Sequence, residues 1–179
     1  MKRPTVNLSR MRGVAAVEFA IVLIPLVTLL AGVAEFGNAI YQYEALTKAT
    51  RDAARYLSVY LSSDPAYPLA QAQCLVVYGN PTCPPSGTGT ALVPGLTTSM
   101  VIVCDSTHTT SCSDTSDPPQ FSNVPTYDTN NGAVDPANAA GSVNLVEVKI
   151  KGYPYLPITT YFNLNITFGN IVTVMRQVS

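Results

Sequence analysis

Three groups of residues in this 179-residue chain have the types and spacing to do chemistry. Cys104, His108 and Cys112, with Asp105 beside them, recur at intervals of four and offer thiolate, imidazole and carboxylate ligands to a metal such as zinc. That interval needs a helix to bring the ligands onto one face, and the intervening Asp-Ser-Thr-His-Thr-Thr-Ser run is a poor helix former with no evident fourth ligand. The expectation is therefore no metal, with His108, the only histidine, as a solvated loop residue. The second group is the even set of Cys74, Cys83, Cys104 and Cys112, whose alternative chemistry is oxidation to disulfides. The third is Glu18, the one ionisable residue in the apolar stretch 14–34. A carboxylate inside hydrocarbon costs several kcal/mol unless it reaches the headgroups, takes a proton or meets a cation.

Enzyme signatures are missing. No glycine-rich phosphate loop precedes a helix, and neither HExxH nor GxSxG occurs; Gly87-Thr88-Gly89 alone is too weak to count. With one histidine, a Ser or Cys nucleophile has a single candidate base. The chain is expected to be neither an enzyme nor a cofactor carrier.

The elements that must position these groups follow from composition and period. Charged residues make up 12% of the chain, about half the roughly 25% of globular domains, at positive mean hydropathy, so part of it belongs in lipid. The stretch 14–34, polar only at Glu18 and Thr28, is about 31 Å long as a helix, one bilayer core. Lys2, Arg3, Arg10 and Arg12 precede it, while Glu35 and Glu44 follow, which places the amino end in the cytoplasm and the body outside. Pro25 frees the Ile21 carbonyl and predicts a bend or local unwinding in mid-membrane. Beyond residue 12 the chain has six basic against eleven acidic residues, a sign that excludes nucleic acid as a partner.

A cut between Gly13 and Val14 would make Glu18 the fifth residue of a new amino terminus, whose ammonium can offset the carboxylate. The pairing is possible within one helix, since residues four apart share a face. Supplied by a neighbouring subunit, it would set the register of a helical filament.

The stretch Arg12-Gly13-Val14-Ala15-Ala16-Val17-Glu18-Phe19-Ala20 resembles the cleavage and assembly motif of type IV pilins. More narrowly, the run from residue 12 to about residue 60 resembles the TadE family of tight-adherence pilus proteins, which are minor pilins or pseudopilins. The resemblance implies removal of a basic leader, 1–13, by a prepilin peptidase at Gly13 and Val14. It also implies assembly roles for Glu18 and Phe19, and, as partners, the lipid bilayer, the inner-membrane pilus platform, the major pilin and other minor pilins. Two other readings remain open. A secretory signal could be cut near Gly32-Val33-Ala34 to release a soluble protein from Glu35, or an uncleaved anchor could pair Glu18 with Arg12 or lipid. Either would make the chain an anchored or secreted periplasmic binding module that does not polymerise.

Past the apolar stretch, Phe36, Ile40, Tyr43, Thr47, Thr50, Ala54, Leu57 and Leu61 recur every three or four residues, predicting an amphipathic helix over 35–62. Glu44, Lys48, Asp52 and Arg55 supply charge pairs on its other side. Asp64-Pro65 predicts a stop and a second short helix over 65–78, closed by Gly79, although CLVVY could instead form a strand. Residues 79–97 and 105–142 read as long polar loops. Strands are predicted over 99–104, 144–151 and 170–178, with one or two more within 153–168. In the second, Val146, Val148 and Ile150 alternate with Glu147, Lys149 and Lys151 as a dry and a wet face.

The expected fold is α+β: a long membrane helix, its amphipathic extension, and a small antiparallel-sheet head over 63–179 in the periplasm. An oxidising compartment favours disulfides there. Of three possible connectivities, Cys74 with Cys83 and Cys104 with Cys112 are favoured because each closes a short loop rich in turn formers. The tyrosines, including Tyr41, Tyr43, Tyr56, Tyr60, Tyr153, Tyr155 and Tyr161, are expected to cover a small core with their hydroxyls in water.

Overall fold

The computed structural model describes residues 8–85, 88–112, 120–127, 139–158 and 166–178, with side chains from Gly13 onward. Helix α1 (Leu8–Leu57) is one continuous element of 50 residues. It runs through Pro25 without interruption, so the expected unwinding does not occur, and the Thr28 hydroxyl donates to the Pro25 carbonyl at 2.9 Å. A helix in lipid tolerates proline when a neighbouring hydroxyl engages a nearby carbonyl in this way.

Helix α1 ends ahead of the expected Ser62. The chain turns after Leu57, and the Ser58 carbonyl accepts the Val178 amide at 3.0 Å, so a tertiary bond takes the place of another helical turn. Asp64 does act as a turn former, its carboxylate accepting the Ala66 amide at 2.8 Å. Helix α2 (Leu69–Tyr78) begins later than its sequence suggests, because Pro68 bars Tyr67 from helical backbone. It contains CLVVY as helix, not strand, and closes on left-handed Gly79 (φ 69°), whose amide donates to Leu75.

Four strands form one antiparallel sheet: β1 (Val101–Cys104), β2 (Val124–Tyr127), β3 (Ala139–Ile150) and β4 (Ile171–Gln177). The central strand is β3. Its last four residues pair with β1, residues 144–150 pair with β4, and its start pairs with β2. Strand β2 and the first part of β3 fall inside the stretch 105–142 read as loop. Their Val-Pro-Thr-Tyr and Ala-Ala-Gly-Ser-Val sequences carry no alternation, and pairing with each other, not burial, makes them strands. Residues 128–138, 113–119 and 159–165, the last including Tyr161, lie outside the described residues. Within 153–168 the described part holds one isolated bridge, Pro154 with Thr167.

The core lies between the sheet and the two helices. Val146, Val148 and Ile150 point from β3 onto Leu46, Ala53 and Leu57 of α1 and Val76 of α2, all buried. The buried face of α1 is rotated from the expected one. Thr50, Ala54 and Leu57 are inside, but Phe36, Ile40, Tyr43 and Leu61 are exposed, and Glu35, Gln42, Leu46 and Ala49 take their place. Glu44, Lys48, Asp52 and Arg55 do not come within ion-pair distance of one another. In water such pairs gain little against the entropy of fixing two long side chains.

The wet face expected of β3 is dry at one position, since Lys151 is exposed and Glu147 half-buried. Lys149 is fully buried, because a second small core of Cys104, Cys112 and Phe121 covers that side of the sheet with Ile102 and Leu145.

Candidate functional site

The amino-terminal half of α1 is an apolar rod that touches nothing else among the described residues. Every side chain from Gly13 to Leu30 is exposed, including Val14, Glu18 and Phe19, and a Cβ built on Gly13 meets no atom within 4 Å. Glu18 makes no hydrogen bond or ion pair with another described residue. The rod is long and apolar enough to cross a membrane. Gly13 and Val14 lie within the helical turns. The backbone there must unwind before a protease can take it up, and glycine lowers that cost by about 1 kcal/mol relative to alanine.

Where the rod meets the head, three polar residues spaced for one helical face are buried or half-buried: Glu35, Asn38 and Gln42. They hold the segment after β3. The Tyr155 hydroxyl donates to the Glu35 carboxylate at 2.5 Å and lies 3.0 Å from the Glu35 carbonyl, and the Ile158 amide donates to the same carboxylate at 3.1 Å. Asn38 and Gln42 donate to the Leu156 carbonyl at 3.3 and 3.0 Å. Tyr153 donates to Gln42 Oε1 at 3.1 Å and is 2.9 Å from the Pro94 carbonyl. Burial, and then the Glu35 carboxylate, raise the Tyr155 phenol above its ordinary value, and burial pushes Tyr153 up to about 12.

These tyrosines therefore do not keep their hydroxyls in water, as their sequence context suggests. They serve as donors inside a polar seam between helix and head. The seam was missed because Glu35, Asn38 and Gln42 look like the solvent side of an amphipathic helix. The signal that could have found it is the Tyr-Pro-Tyr run, which offers two donors at one edge of the sheet.

The four cysteines are joined as Cys74–Cys83 and Cys104–Cys112, with Cα separations of 5.3 and 5.8 Å. The first staples α2 to the loop after it. The second closes the loop that covers Lys149, whose ammonium donates to the Cys112 carbonyl at 2.7 Å and lies 3.6 Å from Glu147. With both sulfurs in a disulfide, the metal reading of Cys104, His108 and Cys112 loses its thiolates. No group of three or more candidate ligands occurs among the described residues.

His108 is not a free loop residue. Its Nδ1 is 2.9 Å from Asp105 Oδ1, and its ring stacks on Tyr67 at 5.2 Å. Burial works against the Asp105 charge, but the His108 and Thr107 amides and side chains outweigh it and hold the carboxyl below its ordinary range. Burial, followed by the nearby Asp105 charge, raises Tyr67. The cluster fastens the disulfide loop to residues 62–67, since Thr107 also donates to the Ser62 carbonyl at 2.9 Å.

The arrangement thus joins an exposed apolar rod to a head braced by two disulfides. No curated protein and no solved structure matches the chain. Residues 13–55 match the family model described as TadE-like protein. That stretch runs from the glycine ahead of the apolar rod to the last turns of α1 in the head's core, and the residues after it lie outside the family model. Over its first helix the chain is similar to TadE-like proteins.

Proposed function

We propose that this chain is a minor pilin or pseudopilin that takes part in assembling a tight-adherence pilus used in adhesion, a structural role and not a catalytic one. A prepilin peptidase removes the basic leader between Gly13 and Val14. The rod holds the protein in the inner membrane with its head in the periplasm. The same rod then moves from lipid into the helical core of the fibre, beside the major pilin and other minor pilins, at the inner-membrane platform.

One observation carries this reading: the rod from Gly13 to Leu30 is wholly exposed, holds a single unpartnered acid, and is rigidly continuous with the head's core to Leu57. An apolar helix exchanges lipid for other helices at small cost, because both environments are dry. Glu18 makes that exchange selective. In a dry bundle its charge needs a cation, and the amine created at Val14 of a neighbouring subunit supplies one in a single register. Phe19 packs beside it.

The test is Glu18→Val. The variant is expected to insert and to be shortened normally, yet to be missing from sheared pili. Incorporation at the wild-type level would overturn the assigned role and favour an anchored binding module.

A further inference from the structure

The apolar surface of this chain does not stop at residue 34. Phe36 and Ile40 on α1 are exposed, and so are Leu156, Ile158 and Ile166 on the head. The head residues are placed by Glu35, the first residue after the membrane stretch: its carboxylate accepts the Ile158 amide at 3.1 Å, which fixes Ile158 beside the point where α1 leaves the hydrocarbon. Ile166 lines a groove of about 260 Å³ together with Gly32, Glu35, Phe36, Ala39, Tyr155 and Phe168. Gly32 lies inside the 14–34 stretch, about 3 Å below its last residue along the helix axis. The groove therefore starts at Gly32, just inside the membrane stretch, and runs up between Phe36 and Ala39 of α1 and Tyr155, Ile166 and Phe168 of the head.

We propose that the underside of the head is a lipid-facing surface, on which Leu156, Ile158 and Ile166 lie at the level of the headgroups and the groove takes up the upper part of a phospholipid acyl chain. This rests on the membrane reading of α1. Continuity with the spanning helix chooses the occupant. An apolar patch at this height faces the bilayer before any protein partner arrives, and tyrosine at such a boundary keeps its polar end bonded while its ring remains in the apolar layer. Glu35 would be costly there as a free charge, and its bonds to Tyr155 and Ile158 hold it inside the protein. The head would then rest on the membrane at a fixed tilt, and leaving the bilayer would require peeling off this surface as well as extracting the rod.

The experiment uses the full chain in phospholipid vesicles. All four native cysteines are in disulfides, so one added cysteine can be labelled alone. Ile158→Cys and Leu156→Cys are compared with Val59→Cys in the turn just past the far end of α1, since Ile158 and Val59 are about equally exposed in the protein itself, at 65% and 67%. An environment-sensitive fluorophore at 158 and at 156 is expected to be blue-shifted and to lose most of its emission to lipids carrying a nitroxide near the headgroup, while the label at 59 responds only to aqueous iodide. Retention after alkaline extraction is measured on the same vesicles. Retained protein whose label at 158 behaves like that at 59 would overturn this inference and leave the membrane reading intact. Protein that is not retained would overturn both. Shielding that disappears on dilution with excess lipid would identify a second copy as the occupant and overturn the lipid assignment.

Discussion

The Tyr155 hydroxyl donates to the Glu35 carboxylate across 120 residues of sequence, at the level where the apolar rod becomes the core helix of the head. This contact ties the apolar helix to its head.

Tyr155→Phe removes the donor and leaves the carboxylate short of a partner. A hydrogen bond to a charged group contributes about 1.5–3 kcal/mol, and a loss of this size is expected in urea denaturation of the detergent-solubilised chain. Amide hydrogen exchange at Ile158, whose N–H shares the same acceptor, should quicken with it. Unchanged exchange would show that Glu35 does not hold this segment.

Alkaline pH should loosen the same seam. Tyr153 titrates at about 12 in the folded chain against an ordinary value of 10.0. A raised folded value means that its contribution is complete below pH 10 and is lost as pH climbs through about 12, because the unfolded chain ionises its phenol first. Melting temperature followed through this window should fall, and Tyr153→Phe should flatten part of the fall. A profile identical in the variant would remove Tyr153 as a cause.

Lys149 is buried on the side of the sheet closed by the second disulfide. Lys149→Ala uncouples the Cys112 carbonyl and strips a cation from beside Glu147, and should cost about 3–5 kcal/mol, the usual consequence of breaking a buried charge pair. Replacing Cys104 and Cys112 together by serine should cost about 2–3 kcal/mol through the entropy of the short loop they close. Peptide mapping without reduction should show Cys74 linked to Cys83 and Cys104 to Cys112. Free thiols at either pair would contradict the brace.

The outline of this fold was legible because long-period signals are robust. The apolar stretch 14–34 and the alternation of Val146, Val148 and Ile150 each reflect a face that must be dry, and the repeat after residue 34 marks a helix. What escaped was the identity of the covering partner. Phe36, Ile40 and Tyr43 have the spacing of a core stripe, but the face carrying Glu35 and Gln42 is inside because two tyrosines meet it. Lys149 has the position of a solvent residue, but a disulfide loop some forty residues earlier lies over it. Strand β2 is held by its pairing with β3, a long-range contact that leaves no local period to read. At the rod, Gly13, Glu18 and Phe19 form a motif in the sequence and stand exposed in the structure.

Gly13→Val tests the cleavage step separately from folding. A Cβ at this position meets nothing within 4 Å, so the head and rod should form normally. The β-branched side chain should obstruct the extended backbone that a peptidase needs, and the leader should remain attached on gels of the membrane fraction. A normally shortened product would count against a cut at this bond.

The most direct measurement is the intact mass and amino-terminal sequence of the protein extracted from its native membrane. The account requires a chain that starts at Val14, because only that amine can offset the Glu18 carboxylate of a neighbour in the dry core of a fibre. A chain starting at Glu35, or one retaining Met1 and its basic leader, would contradict it.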